Sequence, residues 1–205
     1  MAVLLGTWKL ALDPANLGRR DGWFAAVGAD AQAAPVPGII QQVFPGCFGV
    51  AWYWTTFTVR PVAAERERVL LTFGAVDYLA EVWVNGRPVG GHEGGETPFT
   101  LDITDAVTAG GDHLLAVRVL NPSDLDENPA DGIRLVETPH RNKAGRDFAP
   151  GRMYNIGGII GAVELHVLPV VRIAGLHVMP ELATGRIRVD VTVRNDTRRS
   201  VRAKL

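Results

Sequence analysis

The sequence predicts an all-β protein built as an antiparallel β-sandwich, on three observations. Short runs of alternating or β-branched residues recur along the 205 residues, separated by Gly, Pro and Asn. Asn85-Gly86, between Leu79–Val84 and Arg87–Gly90, is the dipeptide of a two-residue hairpin turn, where both central positions take positive φ. Helical periodicity is sustained nowhere.

The elements follow in order. The opening MAVLLGTWKLALD has neither a basic segment nor a small-residue cleavage site, so Gly6–Leu12 reads as a first strand rather than a signal peptide. One or two helical turns are expected within Asp21–Ala33. Residues Ala33–Gly49 hold three prolines and three glycines and are expected to be irregular. Strands are expected at Ala51–Val59, Arg68–Phe73, Ala80–Val84, Phe99–Ile103, His113–Leu120, Ala162–Val167, Ile173–Met179 and Arg186–Arg194. The glycine-rich run His92–Pro98 reads as a loop. Thr104-Asp105 before Ala106-Val107 suggests one helical turn. Residues 121–160 show little strand pattern, and a connection of about 40 residues inside a domain is the first place to look for a site.

Composition excludes several functions. Apolar residues make up 47% and charged residues 21%, enough for a real core, and the net charge of −1 offers no field for nucleic acid or an anionic membrane. No run approaches the ~20 apolar residues of a membrane span. Cys47 is the sole cysteine, so no intrachain disulfide or thiolate cluster can form, and a reducing, cytoplasmic compartment is expected. The five histidines, His92, His113, His140, His166 and His177, lack the paired spacing of a zinc site. No phosphate loop, nucleotide fingerprint or Ser–His–Asp phrase occurs, so neither a metal nor any other cofactor is expected.

Four phrases stand in order: FGAVDY at Phe73–Tyr78, VWVNG at Val82–Gly86, HEGGETPF at His92–Phe99 and DIT at Asp102–Thr104. Val36-Pro37-Gly38 with Gln41-Gln42, Trp52-Tyr53 and Met153–Leu165 extend the series. Together they resemble the N-terminal sugar-binding domain of glycoside hydrolase family 2, which includes β-galactosidases, β-glucuronidases and β-mannosidases. The resemblance implies a jelly-roll (galactose-binding-domain-like) sandwich over residues 1–170. Residues 171–205 would then begin an immunoglobulin-like sandwich. Such a domain needs about seven strands, and only two or three fit, so the chain is expected to stop within it.

The resemblance also implies that catalysis resides elsewhere. In that family two glutamates of a TIM barrel do the chemistry, and a retaining glycosidase needs its carboxyl groups about 5 Å apart. The barrel's phrases are absent, so this chain is expected to be inactive alone and to partner its own C-terminal barrel. The substrate of the whole enzyme would be a β-glycoside.

Two sets of residues invite a sugar. Trp52, Tyr53 and Trp54 offer aromatic faces for a pyranose, but alternation places neighbours on opposite faces, and at least one face must be core. Asp77 reads either as a hydroxyl acceptor or as a carboxylate binding backbone amides at a bend. The family's loop between strands supplies the second set, the substrate-binding candidates Asp124, His140, Arg152, Tyr154 and Asn155. Asp124, Tyr154 and Asn155 are planar polar groups suited to hydroxyls. Arg152 cannot accept a hydrogen bond, but it fits a carboxylate such as that of a uronic acid. The sequence departs from the family at Glu96, where an aromatic is usual, at Ile160, where Trp is, and in the long spacing from His140 to Tyr154.

Three functions fit: a non-catalytic domain of a family 2 glycosidase, a free-standing lectin-like module, or a structural interaction domain. The first is preferred. Homo-oligomerisation through an uncovered apolar patch is a further expectation.

Overall fold

The computed structural model describes residues 1–122, 156–197 and 199–202. Its elements are β1 (Ala2–Val3), β2 (Gly6–Leu12), β3 (Gln32–Val36), a 3₁₀ turn (Ile40–Gln42), β4 (Gly49–Val59), β5 (Glu67–Phe73), β6 (Val76–Asp77), β7 (Leu79–Val84), β8 (Arg87–Glu93) and β9 (Phe99–Asp102). There follow α1 (Thr104–Val107), β10 (Gly111–Asn121), β11 (Gly158–Ile159), β12 (Val163–Pro169), β13 (Val171–Glu181) and β14 (Arg186–Asn195).

A six-stranded sheet, in order β3-β2-β4-β10-β7-β8, faces a four-stranded sheet, β1-β12-β5-β9. Every pairing is antiparallel. Two-residue periodicity therefore sorts side chains by face. In β4, Ala51, Tyr53, Phe57 and Val59 enter the core between the sheets, with Leu10, Val69, Leu71, Phe73, Val82, Val117 and Val163. A sandwich with a filled interior is the expected fold class.

The other face of β4 is equally buried. Trp52 and Trp54 have no exposed surface, and with Trp83 they form a second apolar cluster on the outside of the six-stranded sheet. Residues 13–31 fold over it and contribute Trp23 and Phe24. The Trp52 ring lies 5.1 Å from Trp83 and 6.3 Å from both Trp54 and Trp23, and Phe24 stacks on Trp83 at 5.7 Å. Truncating one such buried indole typically costs about 3–5 kcal/mol, so these rings are structural.

Three expectations change. Where helix is expected within Asp21–Ala33, residues 21–30 hold turns and bends and Gln32-Ala33 begin β3; Trp23 and Ala25 donate to Gly18 and Gly22. Those turns aim the aromatic pair downward, and packing outweighs local preference. Gln32–Val36 is a strand despite Pro35, because β3 is the edge of its sheet and the missing N–H is not needed. β8 runs on to Glu93, since its glycines accommodate a bulge opposite Val82 and Trp83. The Asn85-Gly86 turn is as expected, with φ of 52° and 76°.

β13 and β14 form a two-stranded sheet of their own. Asp196 joins them to the sandwich. Its carboxylate accepts from Arg172 at 2.5 Å and Arg194 at 2.8 Å, while Arg68 of β5 donates to its carbonyl at 3.2 Å.

Candidate functional site

Three of the phrases, in segments 36–42, 73–78 and 156–162, meet at one end of the sandwich. β6 pairs with β11, setting Asp77 opposite Gly158 and Val76 opposite Ile159. Gly38 N–H donates to Ile159 O at 2.8 Å, and Ile40 N–H to Gly157 O at 2.7 Å. The Gln41 side chain accepts from Gly157 N–H at 3.3 Å. Ala75 O takes the N–H groups of Ile160 and Gly161. Segments 36–42, 73–78 and 156–162 are thus one backbone-bonded unit.

Glycine is required where these segments cross. Gly158 has φ +139°, and a Cβ there would sit 2.7 Å from Gly38 O and 2.8 Å from Tyr53 Oη. A Cβ on Gly157 would lie 2.4 Å from the side chain of Asn121. The chain leaves β10 at Asn121-Pro122 and returns at Ile156-Gly157. Both roots of the 123–155 segment therefore touch each other at this end.

The polar groups around the unit are carboxylates and phenols. Asp77 is only 8% exposed, and Gly95 packs against it. The Tyr78 hydroxyl donates to Glu93 at 2.8 Å; burial, then the Glu93 bond and charge, push its phenol up to about 12. Burial likewise raises the Tyr53 phenol, with the Ile159 backbone pulling slightly back. Both phenols stay protonated, and that of Tyr78 donates to Glu93. His92 stacks on Phe99 at 4.7 Å and bonds Thr97 at 2.8 Å, which orders the Gly94–Pro98 loop beside Glu93. Glu96 is exposed. Tyr53, Asp77 and Tyr78 are buried, and of the carboxylates at this end Glu93 and Glu96 face solvent. Among the described residues, no group of three His, Cys, Asp or Glu side chains could hold a metal ion.

Asp124, His140, Arg152, Tyr154 and Asn155 all lie outside the described residues. In the chain, Asp124 stands two positions after Pro122, and Tyr154-Asn155 immediately precede Ile156. The structure brings Asp77, Tyr78 and Glu93 to this end, whereas Trp52 and Trp54 are removed to the outer cluster.

A polar network on the outer face escaped sequence reasoning. Arg118 has no exposed surface; it donates to Glu81 at 2.7 Å and to Asn16 at 2.7 Å, and Arg19 reaches Glu81 at 3.3 Å. A lone arginine amid apolar β10 was its only signal. Beside this network lies an open depression of about 490 Å³ edged by Leu79, Glu81, Trp83, Pro88, Gly91 and Glu93. The rest of that face is covered by Trp23 and Phe24, which leaves little of it open to a flat lectin-like contact.

An antiparallel sandwich of a six-stranded and a four-stranded sheet defines an all-β sandwich module. Residues 41–169 match the profile described as glycosyl hydrolases family 2, sugar binding domain, and the chain belongs to that family. A β-glucuronidase of Paenibacillus borealis is 31% identical over 175 residues, covering 76% of this chain and 29% of that protein. A β-galactosidase of Thermoanaerobacter pseudethanolicus is 41% identical over 81 residues, covering 39% of this chain and 11% of that protein. Among solved structures, Ruminococcus gnavus β-glucuronidase shares the fold with a TM-score of 0.75 at 24% identity, over 94% of this chain and 33% of that one. A β-glucuronidase from an uncultured Clostridium sp. gives 0.72 at 25% identity, over 94% and 33%. The chain thus spans a third or less of the length of these relatives.

Proposed function

We propose that this chain is the accessory sugar-binding domain of a β-glycoside hydrolase, and that a TIM barrel elsewhere in the full-length protein carries the catalytic carboxylates. The domain brings Asn121 and Gly157, the described residues on either side of the 123–155 segment, together at its loop end, and in this reading that segment's role is to contact the barrel's substrate. The observation that carries this reading is the adjacency of Asn121 and Gly157. It roots the segment bearing Asp124, His140, Arg152, Tyr154 and Asn155 in the unit built from the family phrases.

Two finer points belong to the same reading. A β-glucuronide is the preferred substrate, because relatives named β-glucuronidase recur in both comparisons and Arg152 suits a carboxylate. The division near residue 170 separates the sandwich from an immunoglobulin-like domain that opens with β13 and β14. In support, one face of this ribbon is an apolar stripe: Ile173, Leu176, Val178, Ile187, Val189 and Val193 are 42–67% exposed and suited to burial by further strands.

The test is hydrolysis of chromogenic β-glucuronide, β-galactoside and β-mannoside by the full-length gene product and by this chain alone. The full-length protein should cleave the glucuronide and this chain none of them. Inertness of the full-length protein toward all three, or turnover by this chain, would overturn the reading.

A further inference from the structure

Asn85 lies in the exposed β7–β8 turn, with Gly86 next in the chain. Asn-Gly is chemically vulnerable, because a glycine amide nitrogen is unhindered by any Cβ. Here the Asn85 side chain is fully engaged. Its Oδ1 accepts from Leu114 N–H at 3.0 Å, and its Nδ2 donates to His113 Nδ1 at 2.8 Å and to Ala106 O at 3.2 Å. Its own N–H donates to Leu114 O at 2.8 Å. One amide thus ties the turn to β10 and to the end of α1. His113 serves as acceptor only in the tautomer with its proton on Nε2, an atom that is buried.

We propose that Asn85 is a latent deamidation site, held closed in the folded protein by its bonds to His113, Leu114 and Ala106. In the reaction the Gly86 amide nitrogen loses its proton and attacks Asn85 Cγ. The new C–N bond closes a five-membered imide as the side-chain Nδ2 departs with a proton as ammonia. Water then adds to either ring carbonyl, giving aspartate or isoaspartate. Water is the only co-reactant, and nothing is oxidised or reduced.

The native turn opposes the first step. Attack requires Cγ to swing toward the Gly86 nitrogen, and that motion breaks all three side-chain bonds at once. Either product disables the turn. An aspartate carboxylate cannot donate to His113 or Ala106, and isoaspartate inserts a methylene into a two-residue turn whose register pairs Val84 with Arg87. The modification would therefore uncouple the β7–β8 turn from β10 and from α1.

The test follows conversion by mass spectrometry and isoaspartate detection on the peptide containing residues 79–93, using the full chain in mildly alkaline buffer, native and in urea. Native conversion should be at least about tenfold slower than in urea. His113→Phe should raise the native rate several-fold, and His113→Gln, which restores an acceptor, should lower it again. Gly86→Ala should slow conversion in urea, which locates the chemistry. Equal rates in native buffer and urea would overturn the proposal, as would no conversion in urea or a folded His113→Phe protein as slow as wild type. Should His113→Phe fail to fold, the native-to-urea ratio of the wild type decides.

Discussion

The Asp13 carboxylate accepts the indole N–H of Trp52 at 3.0 Å, and it also accepts the backbone N–H groups of Leu17 and Gly18 at 2.8 Å. One buried side chain thus fixes the start of the 13–31 cover and the central ring beneath it. Replacing Asp13 with alanine leaves three donors without an acceptor. A loss of about 3 kcal/mol is expected in urea unfolding, with increased tryptophan exposure to a quencher.

Arg118 is buried against Glu81, so removing the carboxylate should cost more than removing the pair. Glu81→Ala is expected to destabilise by about 3 kcal/mol, and adding Arg118→Met should recover part of that loss. A double-mutant cycle measures both.

Gly158→Ala should destabilise the loop end by about 2–3 kcal/mol, because its φ and the nearby Gly38 O and Tyr53 Oη leave no room for a methyl group. Hydrogen exchange should show the loss concentrated in residues 36–42 and 73–78.

His113 titrates below its ordinary value of 6.5, because burial disfavours the imidazolium and Asp112 only partly opposes this. Below that value the unfolded chain binds the proton more readily than the folded one. Stability should therefore fall as pH drops from 6.5 toward the folded value. In His113→Phe this component of the slope should vanish, as denaturant midpoints at several pH values would show.

Asp196 titrates below its ordinary 3.8, first because Arg194 bonds it and then because Arg172 does. Its stabilisation is present above 3.8 and is lost as pH falls through the folded value. Asp196→Asn should abolish that acid dependence and speed amide exchange in β13 and β14.

The sequence alone determined most strands, the Asn85-Gly86 turn and the family, because period-two patterning and turn chemistry are local properties of neighbouring residues. Alternation also showed that Trp52 and Tyr53 face opposite ways. The candidate residues Asp124, His140, Arg152, Tyr154 and Asn155 came from resemblance alone and lie outside the described residues. Only the tertiary structure decided that both faces of β4 are buried, since the cover over Trp52 comes from residues 13–31, about 30 positions away. The same holds for Arg118 beside Asn16, Asn121 against Gly157 and the latch between Asn85 and His113. Contacts of that kind are set by how strands order themselves in a sheet, which no local pattern records.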